Sequence, residues 1–387
     1  MSSKQALRPR RSLGPVNDLR RVSLRMMSVS IVAGPAARVV TDEIRSRAAR
    51  SRIFEPIPGS SPDRIIEQIR TFAQDGETDH LIIQCEADRP IMAYASLFAD
   101  PSGELASLCQ LTTAGFAINS AAFLDSLLNR KATSASPCFM AEQLEFVTDI
   151  LFDGAADDPD LALARAITQT LNPGARIVPL TESALAEFRD HAAAPFDFEK
   201  AVEGAGWRKM LDEETSMPAD DGEVTAFGYR ARRPFHPERL WTLLQTGLTG
   251  LFRAKGFFWL ATRMDEVGGL NLAGAEIQCA SAGHWWAARD AQARDRDMAD
   301  RTRKEWQEPF GDRRQSFAVM ARGVGRDALQ HQLDGCLLTD EEMAGGPESW
   351  QNLTDPFPSW SAHGHSHRHD HQCDHDHGSH EHDCCGH

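Results

Sequence analysis

Thirteen imidazole and thiol side chains crowd the last 25 residues of this chain: His363, His365, His367, His369, His371, Cys373, His375, His377, His380, His382, Cys384, Cys385 and His387. Imidazole nitrogen and thiolate sulfur are the preferred ligands of zinc, and imidazole also suits copper and nickel. Asp370, Asp374, Asp376, Glu381 and Asp383 stand between them. Ten of the chain's 15 His lie here, so the enrichment belongs to the tail and not to the composition at large. Apart from Cys the stretch has nothing apolar to bury, so it is expected to pack no core and to stay mobile. A mobile, ligand-dense strand suits taking up and passing on a metal ion better than holding one rigidly. The bland alternatives are a charged tail without function and a purification tag. A tag is usually a pure His run, whereas this stretch interleaves Asp, Gly and Cys.

The rest of the chain must position or present that tail. Its 387 residues predict two domains or slightly more. With 41 basic against 56 acidic residues the net charge is −15, which argues against a nucleic-acid binder. No run of about 18 apolar residues occurs, so no transmembrane helix and no membrane partner are expected. The Arg-rich N-terminus lacks the apolar segment of a secretory signal and reads as a disordered basic arm over residues 1–27, with a transit peptide as the alternative. Cys85, Cys109, Cys138, Cys279 and Cys336 are scattered through apolar stretches without the spacing of a disulfide framework, so a reducing cytoplasm is the default.

From residue 28 to 189 short apolar runs alternate with helical stretches. Val29–Ala33, Asp79–Gln84, Cys109–Ile118, a segment ending at Phe152, and Ala175–Pro179 read as strands. Thr41–Arg50, a segment from Pro62 and Pro159–Leu171 read as helices, the second capped by Ser61 with Pro at its first position. This alternation implies parallel pairing through right-handed crossovers. Residues 190–221 lose periodicity and read as a linker. From residue 222 to 360 the order is strand (Val224–Arg230), helix (Pro237–Leu248), three strands (Arg253–Thr262, Ala275–Ala282, Gln315–Arg322) and helix (Asp327–Leu337), an α+β pattern with a mainly antiparallel sheet. Residues 339–360 read as a segment draped over that domain, and residues 361–387 form the metal-binding tail.

The second domain contains GYRARRPFHPERLW from Gly228, LFRAKGFFWLATR from Leu251, GHWWA from Gly283, FGDRRQ from Phe310, LDGCLLTDEEM from Leu333 and DPFPSW from Asp355. In this order they resemble the C-terminal domain of the CobW-like metallochaperone family, in the branch associated with zinc. The resemblance implies that the first domain is a P-loop GTPase-like domain, that zinc is the favoured metal among divalent transition metals, and that a client metalloprotein is a possible partner.

The residues of the first domain depart from what that resemblance requires. A P-loop needs GxxxxGK[ST] after the first strand: glycines to admit phosphate, Lys to pair its charge, a hydroxyl for magnesium. Here Gly34 and Thr41 keep the spacing, but Val39 replaces the second Gly and Val40 replaces the Lys. A β-branched residue hinders a tight loop, and valine removes the charge that meets the β- and γ-phosphates. Where the family carries Glu-Ser-Thr-Gly after a later strand, Gln84-Cys85-Glu86-Ala87 stands; where it reads guanine with Asn-Lys-x-Asp, Asp153-Gly154-Ala155-Ala156 stands. The family's Cys-x-Cys-Cys motif would fall near residues 54–62, which hold no Cys, and the strand-and-loop unit ahead of it reads as deleted. The expectation is a cytoplasmic zinc binder, acting as carrier, buffer or partner-docking subunit without hydrolysis: a pseudo-GTPase without catalytic or nucleotide-binding residues, for which GTP is not a cofactor. The rival is a GTP-dependent zinc metallochaperone with an unusual site; a pure interaction module with a storage tail is a second rival.

Single residues elsewhere read as structural. His236 and His284 are lone imidazoles, and one imidazole is not a zinc site. Arg232, Arg233, Arg253 and Lys255 make a basic cluster whose members are expected to pair with nearby acids. Phe257, Phe258, Trp259, Trp285 and Trp286 fit sheet faces and a core. Gly323-Val324-Gly325 lacks the third Gly of a dinucleotide fingerprint and reads as a turn.

Overall fold

The computed structural model describes residues 26–47, 50–129, 136–153, 159–180, 195–212 and 223–360. The basic arm up to residue 25 and all thirteen candidate metal ligands of the tail lie outside the described residues. The chain divides into two compact units between residues 212 and 213.

The first unit is built on a six-stranded sheet in the order β2-β3-β1-β4-β5-β6. The strands are β1 (Met27–Ala33), β2 (Ser51–Phe54), β3 (His80–Gln84), β4 (Cys109–Asn119), β5 (Asp149–Asp153) and β6 (Arg176–Pro179). Every pairing is parallel. The physical reason is legible in β1 and β3: Val29, Ile31, Val32, Leu81, Ile82 and Ile83 are all fully buried, so both strand faces need helices over them. The helices are α1 (Ala37–Arg47), α2 (Pro62–Gln74), α3 (Ile91–Ala95), α4 (Ser120–Leu128), α5 (Pro137–Phe146), α6 (Pro159–Leu171), α7 (Phe198–Glu203) and α8 (Gly206–Asp212). The Ser61 hydroxyl accepts from the Arg64 amide and Pro62 opens α2, as the cap signal requires.

Three readings of this unit are corrected. Helix α1 starts at Ala37 and not at Thr41, because the turn after β1 is only three residues long. The few residues between Arg50 and Phe54, where no strand was expected, form β2, paired to β3 from Ser51↔His80 to Phe54↔Ile83. Part of the stretch read as linker is helical: Asp197 caps α7 through the Lys200 amide, and Met210 of α8 is buried.

The second unit has five strands, β7 (Val224–Ala231), β8 (Leu251–Phe258), β9 (Glu266–Ala273), β10 (Glu276–His284) and β11 (Gln315–Arg322), in the order β10-β9-β8-β11-β7. All pairings are antiparallel. Helices α9 (Pro237–Thr246) and α12 (Arg326–Asp334) contribute Leu240, Leu244, Leu329 and Leu333 to one core with Phe227, Tyr229, Phe258 and Phe317 of the sheet. Two short helices, α10 (Ala291–Asp297) and α11 (Asp300–Lys304), lie between β10 and β11.

Strand β9 has no counterpart in the sequence reading; Gly268 and Gly269 dilute its apolar signal, yet a Cβ on Gly268 would meet the Phe258 ring at 2.6 Å. The stretch read as draped is helical in its first half, α13 (Asp340–Trp350), opened by a capping box of Thr339 and Glu342 and kinked at Gly346. Its second half does lie on the core: Arg263 holds Asp355 through two nitrogens at 2.8 and 3.1 Å, and the Phe357 ring packs on Trp241 and Phe258.

Candidate functional site

Open α/β sheets bind ligands outside the carboxyl ends of their strands. In the first unit those ends present Gly34 just after β1, Gln84 to Glu86 from the last residue of β3, Asn119 as the last residue of β4 and Asp153 as the last residue of β5.

The turn after β1 is pressed against β4. Gly34 has φ +99°, and a Cβ there would stand 2.4 Å from the Ala117 carbonyl oxygen, so the position demands glycine. Three amides here are engaged within the protein. Pro35 has no N–H. The Ala36 amide donates to Ala117 O at 3.0 Å, the Ala37 amide to Gly34 O at 3.0 Å, and the Val39 amide to Ala36 O at 3.1 Å. A phosphate cradle needs such amides free and convergent.

Side chains along α1 follow the same logic. Val40 is fully buried in a cluster with Val32, Ala37, Ile44, Ile82, Ala117, Leu151 and Val178. Val39 points outward, 59% exposed. Arg38 is exposed and lies 3.7 Å from Glu55 across the groove beside β2. An open depression of about 620 Å³ there is lined by Arg38, Asp42, Arg45, Ile53 and Glu55, whose charges cancel. The buried Thr41 hydroxyl donates toward Gln84 Oε1 at 2.9 Å, with Arg38 O at 3.1 Å as a second acceptor.

Beyond β3 lies an arrangement the sequence reading did not single out. Glu86 accepts from the Tyr94 hydroxyl at 3.1 Å and from the Gly59 amide at 3.4 Å. Arg89 donates to Ser60 O at 2.7 Å and stands 3.9 Å from Glu86. These bonds tie the β2–α2 loop, where the family's cysteine motif was sought, to the turn after β3. Cys85 is the one thiol of this turn. Burial pushes it far above the usual thiol range, and the Glu86 charge adds to that shift. Both effects favour the neutral thiol over the thiolate.

At β4 and β5 the polar groups serve the backbone. Asn119 caps α4 by accepting from the Ala122 amide and donates to Asp153 O at 3.1 Å. Gly154 to Ala156 lie outside the described residues.

In the second unit His236 occupies the N-cap position of α9, but its side chain makes no cap bond. Burial, then the Arg239 charge, lowers its pKa. Of the expected basic cluster, Arg232 donates to Glu305 O, Arg233 pairs with Asp340, and the buried Arg253 donates to Asn271. Among the described residues no group of three or more His, Cys, Asp or Glu is placed to hold a metal ion, and no helix is long and apolar enough to cross a membrane.

Residues 224–337 match the family model of the cobalamin synthesis protein CobW C-terminal domain. The chain is 31% identical over 224 residues to the zinc-regulated GTPase metalloprotein activator 1 of Dictyostelium discoideum, covering 56% of this chain and 47% of that protein. It is 41% identical over 145 residues to a zinc chaperone of Mycobacterium tuberculosis, covering 37% of this chain and 36% of that protein. The chain thus spans less than half the length of these curated relatives. The crystal structure of the Zn(II)-bound YjiA GTPase from E. coli aligns over 81% of this chain and 99% of that one, at 9% identity and a TM-score of 0.33.

Proposed function

We propose that this chain, which carries a CobW C-terminal domain over residues 224–337, is a cytoplasmic zinc carrier or buffer that works without hydrolysing GTP. Zinc is bound in this reading by the His and Cys side chains between His363 and His387, and the folded units present the tail to a client metalloprotein. Zinc is preferred to other transition metals because the relatives' names speak of zinc and because interleaved imidazole and thiol match its ligand chemistry.

One observation carries the part concerning nucleotide. The residue at the position of the P-loop Lys is Val40, and it is packed in the core. A phosphate arriving at Gly34 would meet no Lys charge, and the Ala36, Ala37 and Val39 amides already have acceptors. Magnesium would need the Thr41 hydroxyl, which is engaged by the neutral amide of Gln84. Each of these supports a nucleotide-free mode of action.

The rival reading draws on the relatives named as GTPases: a GTP-dependent zinc metallochaperone that binds nucleotide in an unusual way. Calorimetry separates the two. The full chain titrated with zinc is expected to give heat and saturate; titrated with GTP and magnesium it is expected to give none. Saturable, magnesium-dependent heat with GTP would favour the rival.

A further inference from the structure

Strand β10 is an open edge. Among the described residues it pairs only with β9, and Gln278, Ala280, Ser281, Ala282, Gly283 and His284 are all exposed. Nothing blunts this edge over its regular part: Glu276 to Ser281 contain no Pro and no Lys, the usual guards against edge pairing. The bulge that ends regular pairing comes only after Ser281.

The direction of the free backbone groups follows from the hairpin. Ala273↔Glu276 closes a two-residue turn with Gly274 at φ +54°. In such a hairpin the closing pair is hydrogen-bonded, and hydrogen-bonded pairs then alternate. Glu276, Gln278 and Ala280 therefore direct N–H and C=O toward β9. Ile277, Cys279 and Ser281 direct theirs outward, into solvent. A strand that binds here must be antiparallel or parallel with matching outward groups, and its side chains must fit beside small residues.

We infer that the free edge of β10 pairs antiparallel with β10 of a second copy of this chain, about a two-fold axis at Ala280, joining two five-stranded sheets into one. The strand is complementary to itself in that register. Ala280 meets Ala280 of the second copy in the close, non-hydrogen-bonded position, where a large side chain would clash. Cys279 and Ser281 exchange their outward backbone bonds. Gln278 stands against Ala282. The Glu276 carboxylate of each strand comes alongside the bulged end that carries His284 of the other, so both ends set an acid against an imidazole. A strand of unrelated sequence has no reason to match all four features.

The test is the mass of the full chain in solution with a chelator present, so that metal bridging between tails does not contribute. Light scattering is expected to give twice 42.8 kDa at high concentration. Ser281→Pro removes an outward donor and leaves the β9 ladder intact, because Ser281 donates away from β9; this variant is expected to stay monomeric with an unchanged circular dichroism spectrum. Ala280→Cys places two thiols about 4.5 Å apart between Cα atoms in the proposed register, within disulfide reach. Mild oxidation is expected to link the chains at residue 280, as read by peptide mass. A monomer at every concentration, or a dimer that Ser281→Pro leaves untouched, overturns the inference.

Discussion

The Thr41 hydroxyl lies 2.9 Å from Gln84 Oε1, joining the second turn of α1 to the end of β3. In a P-loop protein a hydroxyl at that position turns toward magnesium. Here it satisfies a neutral amide from a strand end.

Heating the protein with GTP and magnesium is therefore expected to leave its melting temperature unchanged. A nucleotide at a hundredfold excess over its Kd would add about 2.7 kcal/mol and move the transition visibly. A clear upward shift that needs both GTP and magnesium would refute this.

Restoring the Lys is expected to break the fold and not to rescue nucleotide binding. Val40→Lys puts an ammonium among Val32, Ile82, Leu151 and Val178, all buried. An unpaired buried charge costs several kcal/mol, roughly 3 or more. Urea unfolding of the first unit reads this directly; a variant as stable as the parent means that α1 can roll to expose residue 40.

Gly34→Ala tests the contact between the β1 turn and β4. The new Cβ would lie 2.4 Å from Ala117 O at a φ of +99°. Strain of this kind costs on the order of 1–3 kcal/mol. Amide hydrogen exchange is expected to speed up at Ala36, whose acceptor is Ala117 O, before it changes elsewhere in the sheet. Unchanged protection at Ala36 would mean the turn is not held by this contact.

Much of this architecture was legible because its signals are local. Strand β11 and helix α6 fall where their apolar periodicity ends, at Gln315–Arg322 and Pro159–Leu171. Burial of β1 and β3 on both faces follows from unbroken runs of Val, Ile and Leu. Helix α13 was missed because Gly345, Gly346 and Pro347 interrupt it, although Thr339 and Glu342 spelled a capping box. At the candidate site the replacements at Val39 and Val40 were visible as letters. That Val40 is a core residue, and that the Ala36 amide faces Ala117, depends on β4 lying beside β1 with partners such as Met27 and Cys109 far apart in sequence, which no local pattern encodes. The tie between Glu86, Tyr94 and the Gly59 amide is of the same kind.

Acid should loosen α13 in a defined window. The Arg239 guanidinium, hydrogen-bonded to Glu342, holds its carboxyl down to about 2, and the Thr339 amide adds to this. The folded pKa lies below the unfolded value near ~4.3, so this stability is fully present above that value and is lost as pH falls toward 2. Solvent reaches the pair, so the worth is about 1 kcal/mol. Melts between pH 2 and 5 should show a drop that Glu342→Gln removes. An equal drop in the variant would assign it to other carboxylates.

Zinc is expected to be held by the tail and not by the folded units. Thirteen His and Cys side chains with four ligands per tetrahedral ion set a ceiling of about three ions, and sharing should bring the number to about one or two. Binding should weaken as pH falls through the His pKa near ~6.5, because the ligands must be deprotonated. The decisive measurement is zinc content after equilibrium dialysis, made side by side on the full chain and on the chain ending at Trp360. The shortened chain is expected to lose most of its zinc while its melting curve stays nearly unchanged. Full zinc content in the shortened chain would instead place the site in the folded units and overturn the assignment to the tail.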